Sequence, residues 1–122
     1  MGGALSVTVR NERGVVIAEV AGEIDISTVT RLRERLFKLA ENGRTLIVDL
    51  NRVTFIDSAG LGALVGTARR AAEYGGSMHA VCARQQTRKL LWLTGVDRRI
   101  PLAATLDGAL MFQAASRDGA DA

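Results

Sequence analysis

LIVDLNRVTFIDSAGLG, residues Leu46 to Gly62, reads as a buried strand, a return into the core and the start of a helix. Leu46, Ile47, Val48 and Leu50 form an apolar, partly β-branched block too short for a typical helix. Such a block suits a strand covered on both faces. Asn51 and Arg52 break it, and Val53, Phe55 and Ile56 bring the chain back to the core. Asp57, Ser58 and Gly60 then supply helix-start chemistry, short oxygen-bearing side chains that accept hydrogen bonds from the unpaired amides of a first turn. The Ser58 hydroxyl is therefore expected at a helix N-terminus, on the outside of the molecule.

From Ser58 to Tyr74 the apolar positions Leu61, Leu64, Val65, Ala68 and Ala72 recur at threes and fours, one buried stripe of a helix. Beside it, stepping by fours from Ser58, lie Gly62 and Gly66, followed by Arg69 and Glu73. A glycine inside a helix costs about 1 kcal/mol against alanine. Two of them flanking a serine indicate that something approaches this backbone closely, either a partner molecule or a neighbouring loop that needs the room.

Upstream, Leu5, Val7 and Val9 alternate with Ser6, Thr8 and Arg10, a half-buried strand. Asn11 to Gly14 make a turn, and Val16, Ala18 and Val20 alternate again, so the two strands read as a hairpin. In AGEIDISTV, Asp25, Ser27 and Thr28 are candidate caps for a helix with the stripe Val29, Leu32, Leu36 and Leu39, stopped at Asn42-Gly43.

Downstream, Gly75-Gly76 closes the central helix and Met78 to Ala83 forms another apolar strand. A short helix follows over Gln86 to Thr94, with Leu90, Leu91 and Thr94 facing in and Gly95 as its stop. Trp92 points the other way; it reads as cover for a loop or the sheet edge, with an interface anchor as the alternative. Arg99 to Leu102 reads as a last short strand, which Pro101 places at an edge. A final helix over Thr105 to Ala115 buries Leu106, Ala109, Leu110 and either Phe112 or the neighbours of Gln113, and the tail 116–122 is expected to fray. Repeated strand-helix units define an α/β fold: one domain over residues 1–122, core about 5–115. The expected sheet is mixed and mostly parallel, four- to five-stranded, with helices packed mainly on one side.

The segments FIDSAGLG and AGEIDIS, the spacing between them, and the later RKLLWLTGV resemble the STAS domain family, in particular the bacterial anti-sigma factor antagonists, from about Leu5 to Ala115. The resemblance implies a compact STAS-type α/β domain without enzymatic activity of its own. It also implies that the serine of the Asp-Ser-x-Gly motif, here Ser58, is phosphorylated by an anti-sigma factor that doubles as a serine kinase, and restored by a PPM-type phosphatase. The aspartate of the Gly-Glu-x-Asp motif, here Asp25, is implied to lie near that serine; a plain capping role is compatible with this. The implied partner surface is Asp25, Asp57, Ser58, Ala59, Gly60, Gly62, Gly66 and Arg69. Ala59 stands where many relatives have a hydroxyl residue, which leaves Ser58 as the motif's sole acceptor. A scaffold in a larger signalling particle, or an accessory subunit of a membrane lipid transporter, are the other roles open to relatives.

Composition narrows the field. Apolar residues make up 48% and charged ones 24% of the chain, ordinary for a globular domain. No apolar run is long enough to span a bilayer, and the start MGGALSV lacks a secretory pattern, so a cytoplasmic location is expected; the expected oligomeric state is a monomer or weak dimer. The net charge of +3 is spread over helix faces with few aromatics, which suits an acidic protein partner better than nucleic acid. One cysteine, Cys82, and one histidine, His79, sit inside an apolar strand and read as packing; no metal or cofactor site is expected. Ser58 has no glycine two residues before it, as a nucleophile elbow requires, and no phosphate loop is present.

Overall fold

The computed structural model describes residues 4–121, so residues 1–3 and 122 of the expected domain, with the opening of the MGGALSV segment, lie outside the described residues. The chain order is β1 (Leu5–Glu12), β2 (Val15–Ile24), α1 (Val29–Ala40), β3 (Thr45–Ile56), α2 (Ser58–Glu73) and β4 (Ser77–Val81). Then come α3 (Gln85–Leu93), the single turn α4 (Val96–Arg99), β5 (Leu102–Ala103) and α5 (Leu106–Asp121). The five strands lie side by side in chain order. β1 and β2 are antiparallel and the remaining pairs parallel, the mixed and mostly parallel sheet expected.

Right-handed crossovers that all step the same way across a sheet place their helices on one face. On that face Leu32, Leu36, Leu64, Leu91 and Ile100 share a core with Val20, Val48 and Leu50. α5 follows the last strand, closes no crossover, and lies against the opposite face, where Ala109 packs with Val15, Ile17, Ile47 and Val81. One helix is thus added on the far side. Because of it, Val15 to Ala18 are all buried, where an alternating, half-buried strand was expected.

Local differences from the expected boundaries have identifiable causes. The hairpin turn is only Arg13-Gly14, both left-handed (φ 54° and 78°), which matches the strand twist and lengthens both strands. Asn51 and Arg52 do not break β3. Instead β3 takes an extra residue against β2 at two places, between Glu19 and Ala21 and between Gly22 and Glu23. Such bulges re-aim side chains. After the second one Phe55 stands opposite Glu23 and is 50% exposed, contrary to the inward placement expected. Gly22 at this bulge has φ 108°, and a Cβ there would lie 1.9 Å from the Ala4 carbonyl oxygen, so no other residue fits.

Further along, β4 ends at Val81, and Cys82 is buried just beyond it. Thr94 faces out, since α3 stops at Leu93 and its hydroxyl donates to the Leu90 carbonyl, 2.8 Å, at the helix end. Arg99 belongs to α4; the edge strand begins only after Pro101, whose carbonyl accepts from the Ala80 amide at 2.9 Å. Phe112 is exposed, its ring tilted against His79 at 5.8 Å. α5 continues to Asp121, past Ala115 and into the segment expected to fray, no proline being there to stop it.

Candidate functional site

Ile24 pairs with Ile56, so the chain leaves β2 and β3 at the same level and the next residues, Asp25 and Asp57, emerge side by side. The Asp57 amide donates to the Ile24 carbonyl (3.2 Å), fixing the two exits together. These are the carboxyl ends of parallel strands, the edge where open α/β sheets build their sites. Asp57 is extended (φ −109°, ψ −173°), and its Oδ1 accepts from the Gly60 amide at 3.1 Å. It is the N-cap of α2. Ser58 is the first helical residue and is exposed. Since Asp57 does the capping, the Ser58 hydroxyl is left free of that duty.

Asp25 lies in the loop before α1. Its Oδ1 accepts from the Ser27 hydroxyl (2.6 Å), the Ser27 amide (2.9 Å) and the Thr28 amide (3.2 Å). These bonds, that from the Ser27 hydroxyl first, hold its carboxyl below the ordinary aspartate value and keep it charged. Thr28, the positional N-cap of α1, is buried and makes no capping bond of its own. Its hydroxyl instead donates to the Glu23 carbonyl (2.9 Å) and accepts from the Asp25 amide (3.0 Å). Asp25 is therefore both a turn-former and one of two carboxylates on the Ser58 rim.

The three glycines of α2 are not equivalent. A Cβ on Gly60 would lie 2.6 Å from Ile24 and 2.7 Å from Ile56, so this glycine is buried in the domain's own packing. A Cβ on Gly66 would stand 3.2 Å from the Phe37 ring of α1, again an internal neighbour. Gly62 alone of these would meet nothing within 4 Å, and it faces outward one turn beyond Ser58. Ala59 is half-buried, and Ala72, expected in the stripe, is exposed while Ala71 takes the buried place. Arg69 is exposed, eleven residues and about 16 Å along the helix from Ser58. Its neighbour Arg70 is tied to Glu41 at 2.7 Å and lies over the rings of Phe37 and Tyr74.

Two members of this rim escape sequence reasoning. Ile26 is 81% exposed at the tip of the Asp25 loop, and Phe55 stands out from the bulged end of β3. For Ile26 a signal existed: it lies between cap-forming residues, outside any periodic stripe. For Phe55 none did, because the bulge that turns it outward depends on pairing with β2. His79 sits beside Ile47, nine residues before Ile56 on β3, roughly 30 Å along the strand from the Ser58 end. It is buried against the α5 side, where desolvation lowers its pKa, and it is not a base for Ser58.

Residues 6–109 match the STAS domain. The chain belongs to the STAS domain family. It is 33% identical over 106 residues to the anti-sigma-B factor antagonist of Bacillus subtilis, covering 87% of this chain and 97% of that protein. It is 34% identical over 109 residues to the anti-sigma-F factor antagonist RsfB of Mycobacterium tuberculosis, covering 88% of each. The crystal structure of an anti-sigma factor antagonist from Mycobacterium paratuberculosis superposes with a TM-score of 0.81 at 32% identity, covering 88% of this chain and 92% of that one.

Proposed function

We propose that this chain is an anti-sigma factor antagonist that works by partner switching at Ser58. Unmodified, it binds an anti-sigma factor with serine kinase activity and so frees a sigma factor. Phosphorylated on Ser58, it lets go, and a PPM-type phosphatase restores it. Two relatives of more than 30% identity named as anti-sigma factor antagonists support the first step. The observation that carries the switch is the exposed Ser58 hydroxyl at the first turn of α2, with the capping done by Asp57.

A phosphate there adds roughly two negative charges and three acceptor oxygens. The helix N-terminus tolerates an anion, so the domain stays folded. The cost falls on the partner. Its surface must close over Ile26, Phe55 and the bare backbone at Gly62, and it already meets the carboxylates of Asp25 and Asp57. A further charge brought into that contact without a counter-ion is expensive to desolvate.

The test is to capture the anti-sigma factor from the source bacterium on immobilised Ser58→Ala chain, incubate it with wild-type chain and ATP, and map the phosphosite. Phosphate on Ser58, and binding by Ser58→Asp at least a hundredfold weaker than wild type, are the expected results. Phosphate elsewhere with Ser58 bare, or equal affinities, would overturn the proposal.

A further inference from the structure

Cations sit on several helices, but the net charge is not spread over the helix faces as the sequence alone suggested. The sixteen residues from Arg84 to Arg99 hold five cations and one anion, Asp97, whereas the other 106 residues hold eleven and twelve. The whole net positive charge therefore resides on the α3–α4 corner. Two of its cations are turned to the protein's own backbone, Arg84 to the Val53 carbonyl (3.2 Å) and Arg88 to the Cys82 carbonyl (2.7 Å). Lys89, Arg98 and Arg99 are exposed, and among the described residues none of them pairs with a carboxylate.

The same corner carries Trp92 and Leu93, each 63% exposed, so Trp92 does not serve as the cover for a loop or sheet edge that its sequence suggested. Leu93 lines a cleft of about 470 Å³ with Thr94, Gly95, Arg98 and Arg99. Arg99 also lines the neighbouring cleft, about 300 Å³, with Val65, Ala68 and Arg69 of α2. The basic corner is thus continuous with the helix that Ser58 begins. Along α2 the surface runs from the carboxylates of Asp25 and Asp57 to the cations of Arg69, Arg98 and Arg99.

We propose that the α3–α4 corner, with Leu93, Arg98, Arg99 and Arg69, is a second docking point for the same partner, received by an acidic segment that places an apolar side chain over Leu93. This rests on the partner-switching reading. Opposite charges at the two ends set the partner's orientation and speed its approach, while the exposed Leu93 supplies the apolar contact that slows release. The corner lies on the opposite side of α2's length from the modification, so it is not itself altered by the phosphate. It acts as a constant attraction, and Ser58 decides whether the encounter closes.

The experiment measures association and dissociation rates of the captured anti-sigma factor with wild-type, Ser58→Asp, Arg98→Glu/Arg99→Glu and Leu93→Ser chains, at low and high salt. Circular dichroism controls for folding. The expected result is a tenfold or greater fall in association rate for Arg98→Glu/Arg99→Glu with loss of its salt dependence, and faster dissociation for Leu93→Ser. Wild-type rates for both variants, with Ser58→Asp still defective, would overturn the corner and leave the switch standing. A defect in both variants with Ser58→Asp behaving as wild type would keep the corner and remove the switch. Unchanged partner rates together with binding of wild-type chain, but not Arg98→Glu/Arg99→Glu, to phosphatidylglycerol vesicles would overturn the proposal in favour of a membrane surface.

Discussion

On the inner face of α2 a methyl group added at Gly60 would run into Ile24 and Ile56; on the outer face one added at Gly62 would touch nothing. The two residues are a half-turn apart in the same helix, and the helix would be better formed with alanine at either place. At Gly60 the domain's own core forbids it. At Gly62 no part of the domain does, and the proposed partner contact is what would call for a glycine there.

Substitutions can break this contrast. The largest effect belongs to the inner face: Leu64→Ala should lose about 2–5 kcal/mol of stability in urea denaturation, since Leu64 is fully buried and its neighbours cannot close the space. Gly60→Ala should lose about 1–3 kcal/mol, because Ile24 and Ile56 are themselves packed on all sides. Gly62→Ala should do the reverse, gaining up to about 1 kcal/mol in the same measurement while weakening partner binding in calorimetry. A stabilised Gly62→Ala chain that binds as well as wild type would remove the functional meaning of the outer face. The smallest effect concerns the rim. The Asp25 carboxyl titrates below its ordinary 3.8, so its contribution is complete above that value and is lost as pH falls through the lowered one. Asp25→Asn should therefore differ from wild type in thermal unfolding at about pH 6, and the two should converge under strongly acid conditions.

Much of α2 was legible in the chain because its determinants are local. The cap at Asp57, the outward serine and the spacing of Leu61 and Leu64 are set within a few residues of one another. What separates Gly60 from Gly62 is not local, since it needs Ile24 and Ile56 brought alongside from two strands. Phe55 was misplaced for the same reason, its direction being set by a bulge that exists only against β2. The covering of Val15 and Ile17 by α5 was equally hidden, because nothing in a terminal amphipathic helix says which face of a sheet it will choose. The cations of the α3–α4 corner could be counted in the sequence. Their continuity with Arg69 could not, as it depends on α4 being laid beside α2.

Strand order that equals chain order has a consequence for synthesis. As the polypeptide leaves the ribosome, each new strand can pair with one already present, and no gap must be held open for a later arrival. Everything around Ser58, from Gly22 to Gly62, has emerged before α3 begins, so the rim around Ser58 can be assembled while the last third of the protein is still being made.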